Sequence, residues 1–349
     1  MNLKGKIVRN TGETVEAVFP VIISASRSTD IPAFFAKWFI NRLKEGYCKW
    51  YNPFNQKPTF VSFEKTKVVV FWTKNPAPLI PYLHELDERG IHYYFQYTLN
   101  DYDAEGLEPN VPNLESRIET FKYLSNLIGK EKVIWRYDPL LLSETINPYT
   151  LLHKIKNIGD QIKGYTNKLV FSFIDVKAYR KVQNNLIKDT SYFNRNNVES
   201  AEPSGNSLDI IIEGLAKLRN TWKDEGWNIE LATCGEDISL EKFGINHNRC
   251  IDSELMKTIF HNDKELIYYL RTGELPVPDL FGTIPTLPAT DKDLKDKGQR
   301  KSCGCMISKD IGMYNTCRHL CTYCYANTSK EVVLQNASKH DEYSESIID

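Results

Sequence analysis

Three cysteines near the C-terminus have a type and spacing that suit metal chemistry. Cys317, Cys321 and Cys324 form the pattern C-x3-C-x2-C in the stretch IGMYNTCRHLCTYCYAN. Three thiolates on one tight loop can ligate three irons of a [4Fe–4S] cluster and leave the fourth iron open, whereas a cluster that only carries electrons usually has all four irons ligated. The spacing therefore predicts a cluster whose open iron can bind a further molecule. A structural zinc knuckle is the alternative, but zinc sites favour paired C-x2-C motifs, so we expect His319 to be an exposed loop residue rather than a ligand.

A second set of cysteines lies outside that motif. Cys303 and Cys305 form a C-x-C pair, Cys234 follows an apolar run, and Cys250 lies in the stretch HNRCID. In a large chain without a recognisable export signal, cysteines indicate metal binding rather than disulfides. Four thiolates would complete one auxiliary [4Fe–4S] cluster or one zinc site, although Cys234 and Cys250 could also be small buried residues. Cys48 stands alone, and we interpret it as structural.

The charge balance argues against a surface built for polyanions. Lys and Arg total 44 while Asp and Glu total 45, which gives a formal net charge of −1. No strong overall field therefore favours long nucleic acid or a membrane surface. No stretch approaches the roughly 18 consecutive apolar residues that indicate a membrane-spanning helix. We expect a globular protein in the cytoplasm without membrane contact.

Short apolar runs alternate with amphipathic stretches along most of the chain. Helical spacing of apolar residues, ended by a glycine, occurs in IPAFFAKWFINRLKEG, PAPLIPYLHELDERG and LESRIETFKYLSNLIG. Such alternation indicates a parallel sheet covered by helices and points to an open or closed barrel, with a doubly wound sheet as the alternative. The runs that we predict to be strands are VIISAS from Val21, VVVFWTK from Val68, HYYFQYTL from His92, KVIWRY from Lys132, KLVFSFI from Lys168 and IELAT from Ile229.

Polar residues gather where these predicted strands end. Functional groups of parallel α/β folds collect at the carboxyl ends of the strands, so these residues are candidates for binding. Asp30 is an exception, because its position before Ile31 and Pro32 is that of an ordinary helix N-cap. The other residues at strand ends are Ser24, Ser26, Arg27, Lys74, Asn75, Gln96, Thr98, Arg136, Asp138, Ser172 and Asp175.

Three segments interrupt the alternation of strands and helices. Residues 47–66 predict a hairpin with an Asn-Pro turn, and the polar residues 180–206 predict a loop or short helix that could act as a lid. Residues 273–300 predict an extended, proline-rich connector. The hairpin could stack on a nucleobase, although such side chains more often cover a core, and nucleic-acid contact stays open. The hairpin residues concerned are Lys49, Trp50, Tyr51, Phe54 and Lys57.

The cysteine motif also resembles a known signature. C-x3-C-x-aromatic-C, with Tyr323 before the last cysteine, is the pattern of radical S-adenosylmethionine enzymes, and MYNTCRHLCTYCYA resembles the spore photoproduct lyase-like group. The earlier stretches WTKNPAPLIPYLHEL, LEPNVPNLESRIETFKYLSNL and VIWRYDPLL resemble the part that follows the cysteine loop in that group. This order implies a circular permutation. From SASRSTDIPAFF to the cysteine-rich C-terminus, the chain is also similar to an uncharacterised bacterial domain-of-unknown-function family.

The resemblance implies a particular fold and domain organisation. We expect an α/β, TIM-like parallel βα barrel, partial or full and circularly permuted, with the cluster-binding βα unit at the C-terminus. Residues 1–235 would supply barrel units, residues 236–309 a connector with the auxiliary metal-binding segment, and residues 310–349 the unit that completes the same barrel. Because the first and last strands of a barrel are neighbours, VIISAS should pair with the segment around Ile311 to Asn315.

The resemblance implies cofactors as well. A [4Fe–4S] cluster, or two with the auxiliary site, would cleave S-adenosylmethionine to a 5′-deoxyadenosyl radical, after reduction by a cellular electron donor such as flavodoxin or ferredoxin. Lys74 would meet the methionyl carboxylate and Ser24 or Ser26 its amino group, while Arg136 and Asp138 either form an ion pair or contact the adenosyl group. The residues expected to bind this cofactor are Ser24, Ser26, Lys74, Arg136, Asp138 and Tyr323.

The substrate is less defined than the cofactors. Arg27 and Gln96 are candidates for substrate contact. The sequence does not specify the substrate, which could contain a nucleobase. No residue receives a catalytic role at this stage. A non-catalytic iron–sulfur or zinc protein that senses redox state or binds nucleic acid is the alternative function. A repair lyase that acts on damaged pyrimidines rests on family analogy alone.

Overall fold

Strands and helices alternate along the computed structural model, which describes residues 3–280 and 283–349. The strands are β1 (Leu3–Val8), β2 (Thr14–Phe19), β3 (Ile22–Ala25), β4 (Tyr47–Tyr51), β5 (Pro58–Ser62), β6 (Val68–Thr73), β7 (His92–Thr98), β8 (Val133–Leu140), β9 (Lys168–Phe173), β10 (Glu230–Thr233), β11 (Ile245–His247) and β12 (Lys309–Asp310). The helices are α1 (Ile31–Phe34), α2 (Ala36–Glu45), α3 (His84–Asp87), α4 (Leu114–Ile128), α5 (Pro148–Gln161), α6 (Arg180–Asp189), α7 (Gly205–Asp224), α8 (Ser253–Ile259), α9 (Lys264–Thr272) and α10 (Lys330–Ala337).

Eight strands form one parallel sheet. Their order is β11-β10-β9-β8-β7-β6-β3-β12, and every ladder between neighbours is parallel. The predicted α/β class with a parallel sheet is therefore confirmed. The six predicted strands correspond to β3 and β6 to β10, while β11 and β12 were not among them. In the described part of the chain, β11 and β12 are the two ends of this order.

The C-terminal strand lies beside the first strand of the parallel sheet. Lys309 pairs with Ile23 and Asp310 pairs with Ser24. The Ile311 N–H then donates to the Ser24 carbonyl over 3.1 Å. The pairing therefore involves the expected part of VIISAS, but it begins two residues before the expected segment.

A second, four-stranded sheet has the order β1-β2-β5-β4. The pair of β4 and β5 is the hairpin predicted for residues 47–66, whereas the pair of β1 and β2 was not predicted. This sheet contacts the C-terminal residues: Arg9, in the turn between β1 and β2, forms an ion pair with Glu345 at 2.8 Å. Lys49 likewise pairs with Asp349 at 2.9 Å.

Successive side chains of the parallel strands enter two different cores. Val69 and Phe71 of β6 pack with the core that contains α2, α4 and α5. Val68 and Val70 of the same strand pack on the other face, in a core that also contains Met256 from α8. Both faces are covered, which explains the almost unbroken apolar strands. The segment from Cys250 to Met306 covers the second face.

Local sequence signals explain most helix ends. Asp30 caps α1, as predicted, because its side chain accepts the Ala33 N–H. The helix that follows stops at Gly46, whose φ of 82° suits glycine. The predicted helix in PAPLIPYLHELDERG is shorter than expected: a 3-10 turn at Ile80–Tyr82 precedes the four-residue α3. Its prolines lack the N–H that a continuous helix needs.

The polar segment 180–206 contains α6 and a 3-10 turn at Val198–Ala201, so it includes the short helix that was one of two expectations. In the connector 273–300, the described residues hold no regular strand or helix. An isolated bridge joins Lys295 to Met306. Within the described ranges, none of the helices combines the length and apolarity that a membrane span requires.

Candidate functional site

Asp310 fixes the start of the cysteine segment to the first strand of the parallel sheet. Its carboxylate accepts the hydroxyl groups of Ser24 and Ser26, each at 2.8 Å. It also accepts the backbone N–H of Arg27 at 3.0 Å and that of Gly312 at 2.9 Å. The two serines predicted to bind a methionyl amino group are thus hydrogen-bonded to a residue that sequence reasoning missed.

Gly312 allows the two segments to approach closely. A Cβ atom at this position would lie 1.9 Å from the Ser26 Oγ and 2.5 Å from the Ser26 Cβ. The Gly312 carbonyl accepts the Trp50 Nε1–H at 3.0 Å. The hairpin tryptophan considered for nucleobase stacking therefore packs against the C-terminal segment.

The loop that follows Gly312 presents the C-x3-C-x2-C thiols. Cys321 is buried, while Cys317 and Cys324 are half-buried. In the described part of the chain, the three thiols affect one another's pKa through charge alone, with no hydrogen bond between them. Burial raises the pKa of Cys321, and the nearby Lys74 charge acts in the opposite direction. The Ala326 N–H donates to the Cys324 Sγ at 3.3 Å.

A buried charge network lies directly behind this loop. The Lys74 ammonium donates to the Glu108 carboxylate at 2.8 Å and to the Tyr323 hydroxyl at 3.0 Å. The Tyr323 hydroxyl also donates to Glu108. Asn100 donates to Glu108 at 2.8 Å, and Arg117 lies 3.5 Å from its second oxygen.

The charges in this network are mutually stabilising. Burial by itself raises the pKa of Glu108, but Lys74 and Arg117 outweigh it and lower that pKa to about 2. Burial likewise lowers the pKa of Lys74, yet Glu108 outweighs it and raises that pKa above its ordinary value. Lys74 therefore reaches the cysteine loop, as predicted, but its first partner is Glu108. An ammonium has three N–H donors, and these contacts use two of them.

His319 has a different environment from the one predicted. It was expected to be exposed, but it is only 2% exposed. Its Nε2 lies 2.8 Å from the Asp30 carboxylate, and its ring lies 4.5 Å from that of Phe34. Asp30 also accepts the Lys74 N–H at 2.7 Å, so this carboxylate links the loop to the end of β6. Packing against α1, which no local pattern reveals, decides the burial of His319.

Arg136 and Asp138 form an ion pair at the end of β8. Two guanidinium nitrogens of Arg136 lie 3.1 and 2.5 Å from one Asp138 oxygen. Ser172 donates to the other oxygen of Asp138. Burial alone raises the pKa of Asp138, but Arg136 outweighs it and lowers that pKa. Of the two alternatives for this pair, the structure contains the ion pair.

The second set of cysteines also converges, on the opposite face of the sheet from most helices. The Cys234 and Cys250 Sγ atoms lie 3.2 Å apart. Cys305 is within hydrogen-bonding reach of Cys250 and of Cys303. Arg136 donates to the Cys250 Sγ at 3.1 Å. All four members predicted for this site are therefore neighbours.

Arg27 and Gln96 lie beside this second set. The Gln96 amide donates to the Cys250 carbonyl at 3.0 Å and accepts from Arg136 at 3.1 Å. Gln96 is only 1% exposed, so it fills the space between sheet and thiols. The Arg27 guanidinium lies 5.1 Å from the centre of the Trp72 ring and interacts with the charge of Cys305. The structure therefore places both residues near these four thiols.

Cys48 lies outside both cysteine sets. Cys48 is fully buried, and burial raises the pKa of its thiol to about 12, which agrees with a structural role. As they stand, the described residues contain no group of three or more His, Cys, Asp or Glu side chains already set to hold a metal ion. Ligand sets commonly complete their geometry only when the metal binds.

Sequence reasoning missed Asp310, Glu108 and Asn100. Asp310 ends a two-residue strand, which is too short for an apolar pattern to reveal. Glu108 and Asn100 lie in the irregular segment between β7 and α4, where the sequence carries no periodic signal. Only their burial together with Lys74 and Tyr323 marks them as parts of the site.

Comparisons with known proteins identify a family and little more. The model described as Domain of unknown function (DUF1848) matches residues 22–326, a range that includes both cysteine sets. No curated protein matches the chain. A solved structure described as a “putative alpha-L-fucosidase” from Bacteroides thetaiotaomicron VPI-5482 is 11% identical, covers 58% of this chain and 82% of its own, and has a TM-score of 0.23. That score is too low to relate the two folds.

Proposed function

This chain belongs to the DUF1848 family, and from the geometry of its cysteine loop we propose that it is a radical S-adenosylmethionine enzyme. Cys317, Cys321 and Cys324 would hold a [4Fe–4S] cluster with one iron free of protein ligands. The observation that carries the proposal is the position of this loop. It follows β12 at the carboxyl end of the parallel sheet, with the buried Lys74 beside Cys321.

The donor set suits a cluster rather than a single ion. Thiolates are soft ligands that favour iron–sulfur clusters and zinc. In the described part of the chain, the three thiols lie near enough to affect one another's pKa through charge, with no hydrogen bond between them. The Lys74 charge would offset part of their negative charge, and the backbone N–H of Ala326 already points at one sulfur.

When bound, a reduced cluster of this kind supplies one electron that cleaves S-adenosylmethionine to methionine and a 5′-deoxyadenosyl radical, which abstracts a hydrogen atom from substrate. The residues of the chain would bind and orient S-adenosylmethionine and shield it from water. Lys74 would donate its third N–H to the methionyl carboxylate. The hydrogen bond from the Tyr323 hydroxyl to Glu108 fixes the position of the tyrosine ring beside the site. The Ser24 and Ser26 hydroxyl groups donate to Asp310, whose two oxygens already accept four hydrogen bonds, so these three residues position the segment that leads into the cysteine loop.

The proposal extends to the architecture. The strand that precedes the cysteine loop pairs in parallel with β3, next to β6, although it comes last in the chain. In the resembled enzymes the loop follows the first strand. We therefore propose a circularly permuted, TIM-like arrangement in which the βα unit that carries the cluster comes last.

The test is the iron content and the cofactor cleavage of anaerobically purified, reconstituted protein. We expect dithionite-reduced wild type to form 5′-deoxyadenosine from S-adenosylmethionine. Cys321→Ala should lose the iron of this site and the product, because it removes one of only three thiolates. Cys48→Ala is the matched control, since it removes an equally buried thiol that lies outside both cysteine sets.

Two results would contradict the proposal. Product formation by Cys321→Ala at the wild-type rate would remove the loop from catalysis. Iron bound to wild type without any cleavage of S-adenosylmethionine would favour the alternative of a redox sensor. Both measurements use the full chain, so neither depends on a fragment that must fold by itself.

A further inference from the structure

The four cysteines of the second set come from three separate parts of the chain. Cys234 directly follows β10, and Cys250 lies in the turn between β11 and α8. Cys303 and Cys305 arrive from the connector that precedes β12. Such a convergence cannot result from a local loop conformation. It depends on the packing of the Cys250–Met306 segment against the face of the parallel sheet.

The sulfur atoms receive hydrogen bonds as thiolates do. Cys250 N–H and Ile251 N–H donate to the Cys305 Sγ at 3.2 and 3.4 Å. The Cys250 Sγ accepts the Asn248 side-chain amide at 3.3 Å and the Arg136 guanidinium at 3.1 Å. A neutral thiol is a weak acceptor, so the four donors directed at two sulfurs would stabilise thiolates there once a metal ion replaced the thiol protons.

Two buried guanidinium groups lie beside the four cysteines. Arg136 is 3% exposed and contacts Cys250 directly. The Arg27 Nη2 is buried and has no hydrogen-bond partner among the described residues, although the guanidinium faces Cys305 and Cys303. A buried charge without a counter-charge is strongly unfavourable. Four thiolates around one divalent cation carry a net charge of two minus, and these guanidinium groups would offset part of it, because Arg136 also pairs with Asp138 and Arg27 also interacts with Asp310.

We propose that Cys234, Cys250, Cys303 and Cys305 bind one zinc ion in a closed, structural tetrahedral site. Four thiolates are a common donor set of structural zinc. Binding would release the four thiol protons to solvent and form four Zn–S bonds. This proposal is independent of the radical function, because it involves neither the loop cysteines nor S-adenosylmethionine.

The distance between sulfurs decides between zinc and an auxiliary cluster. Ligands of one tetrahedral zinc with Zn–S bonds of about 2.3 Å lie about 3.8 Å apart. The Cys234 and Cys250 sulfurs, at 3.2 Å, need to separate by only a few tenths of an ångström. A [4Fe–4S] cluster would instead hold its thiolates on four different irons, much further apart. The contacts of Cys305 with Cys250 and with Cys303 would have to break before a [4Fe–4S] cluster could fit.

The zinc site would fasten the covering segment to the sheet. The described residues between α9 and β12 form no regular strand or helix, and the backbone hydrogen bonds of Cys303 and Cys305 are loop contacts with Arg300 and Asp296. Metal bonds from these residues to Cys234 and Cys250 would join the connector to β10 and the β11–α8 turn. They would also keep Arg27 and Arg136 at the carboxyl end of the sheet, where β3 and β8 end. We therefore assign the ion a positioning role, not a catalytic one.

Metal analysis of the full chain tests the proposal. Protein produced with zinc and iron, purified without oxygen, should contain one zinc per chain by mass spectrometry. Cys303→Ser and Cys250→Ser should each lower this zinc content at least tenfold. Cys48→Ser should leave it unchanged. Cys321→Ala should also keep its zinc while it loses iron, so failure of the zinc proposal and failure of the radical proposal give different results.

A second readout does not depend on any variant. Protein grown with Co²⁺ in place of zinc should show the visible ligand-field bands and thiolate charge-transfer absorption of tetrahedral, cysteine-bound cobalt. Three results would overturn the proposal: iron and sulfide in place of zinc at these cysteines, unchanged zinc in Cys303→Ser, or a Cys234–Cys250 disulfide detected by mass after alkylation of the purified chain.

Discussion

Glu108 has a fully buried side chain and faces two cations and a tyrosine of the cysteine loop. Removal of one partner from such a network leaves an uncompensated buried charge, which costs more than the intact pair contributes. The cysteine loop is therefore held by electrostatics as well as by packing. This dependence concerns the loop conformation and does not require a bound cofactor.

The pH dependence of stability should reveal the Glu108 charge. Its pKa in the folded protein is about 2, against an ordinary value of 4.5. A depressed carboxylate pKa stabilises the fold above the ordinary value, and that stabilisation is lost as the pH falls through the folded value. We expect Glu108→Gln to lower the free energy of unfolding at neutral pH by on the order of 3 kcal/mol.

Urea unfolding between about pH 7 and pH 3 measures this effect. The difference between wild type and Glu108→Gln should be constant down to about pH 4.5 and shrink below it. The control is Glu64→Gln, whose exposed side chain pairs only with the exposed Lys65, and which should change stability by less than about 1 kcal/mol. A difference that grows on acidification would refute the assignment of a low pKa to Glu108.

Strand β12 is only two residues long, and side chains rather than ladder hydrogen bonds hold it in place. Asp310 gathers two serine hydroxyls and two backbone N–H groups from β3 and its own segment. Gly312 supplies the space that this close approach needs. These contacts around one residue therefore fix the start of the C-terminal unit on β3.

Gly312→Ala should displace this unit. The added Cβ would meet the Ser26 side chain well inside contact distance, so we expect a loss of about 1–3 kcal/mol in unfolding free energy. Iron loading of the cysteine loop should fall with it. Ser26→Gly in the same chain should restore part of both, because it removes the two nearest of the three atoms that clash and leaves the Ser28 Oγ at 2.8 Å.

The control for the glycine substitution is Gly298→Ala. Its added Cβ would lie 3.2 Å from one oxygen of the Asp296 side chain in the connector, with no backbone atom in the way. This variant should keep wild-type stability and iron content. If Gly312→Ala behaved like Gly298→Ala in denaturation and iron analysis, the close approach of β12 to β3 would be wrong.

The arrangement of the whole molecule suggests that the same fold could form with its elements in a different order along the chain. The C-terminal strand lies beside β3, and Arg9 and Lys49 contact the last residues of the chain. The connector between α9 and β12 is exposed, with Val277 82% accessible. Exposed loops far from buried hydrogen bonds are the places where a chain tolerates new ends.

A circular permutant tests this interpretation. We expect a chain that begins at Pro278, joins its old ends through a flexible linker of about 12 residues and ends at Val277 to fold with a near-native melting temperature and to bind iron. In this permutant the cysteine loop precedes β3, as in the resembled enzymes. A second permutant, opened inside α4 after the buried Phe121, should fail to fold. Failure of both permutants would argue against neighbouring ends.

The sequence by itself determined the α/β class, the six longer strands, the hairpin at residues 47–66 and the C-x3-C-x2-C motif. These features depend on periodicity, turn residues and local spacing, all of which can be read along the chain. The N-cap role of Asp30 is equally local. For the same reason the N-terminal hairpin was missed: β1 (LKGKIV) and β2 (TVEAVF) are short and interrupted by charged residues, so neither has the unbroken apolar run of the buried strands.

Only the tertiary structure decided what the polar residues contact. Lys74 was placed correctly at a strand end, but its pairing with Glu108 joins residues from two different segments. The burial of His319, the hydrogen bonds from Ser24 and Ser26 to Asp310, and the position of Arg27 and Gln96 beside the four thiols likewise depend on long-range packing. A side chain's type states which bonds it can form, while the fold decides which partner is near enough to form them.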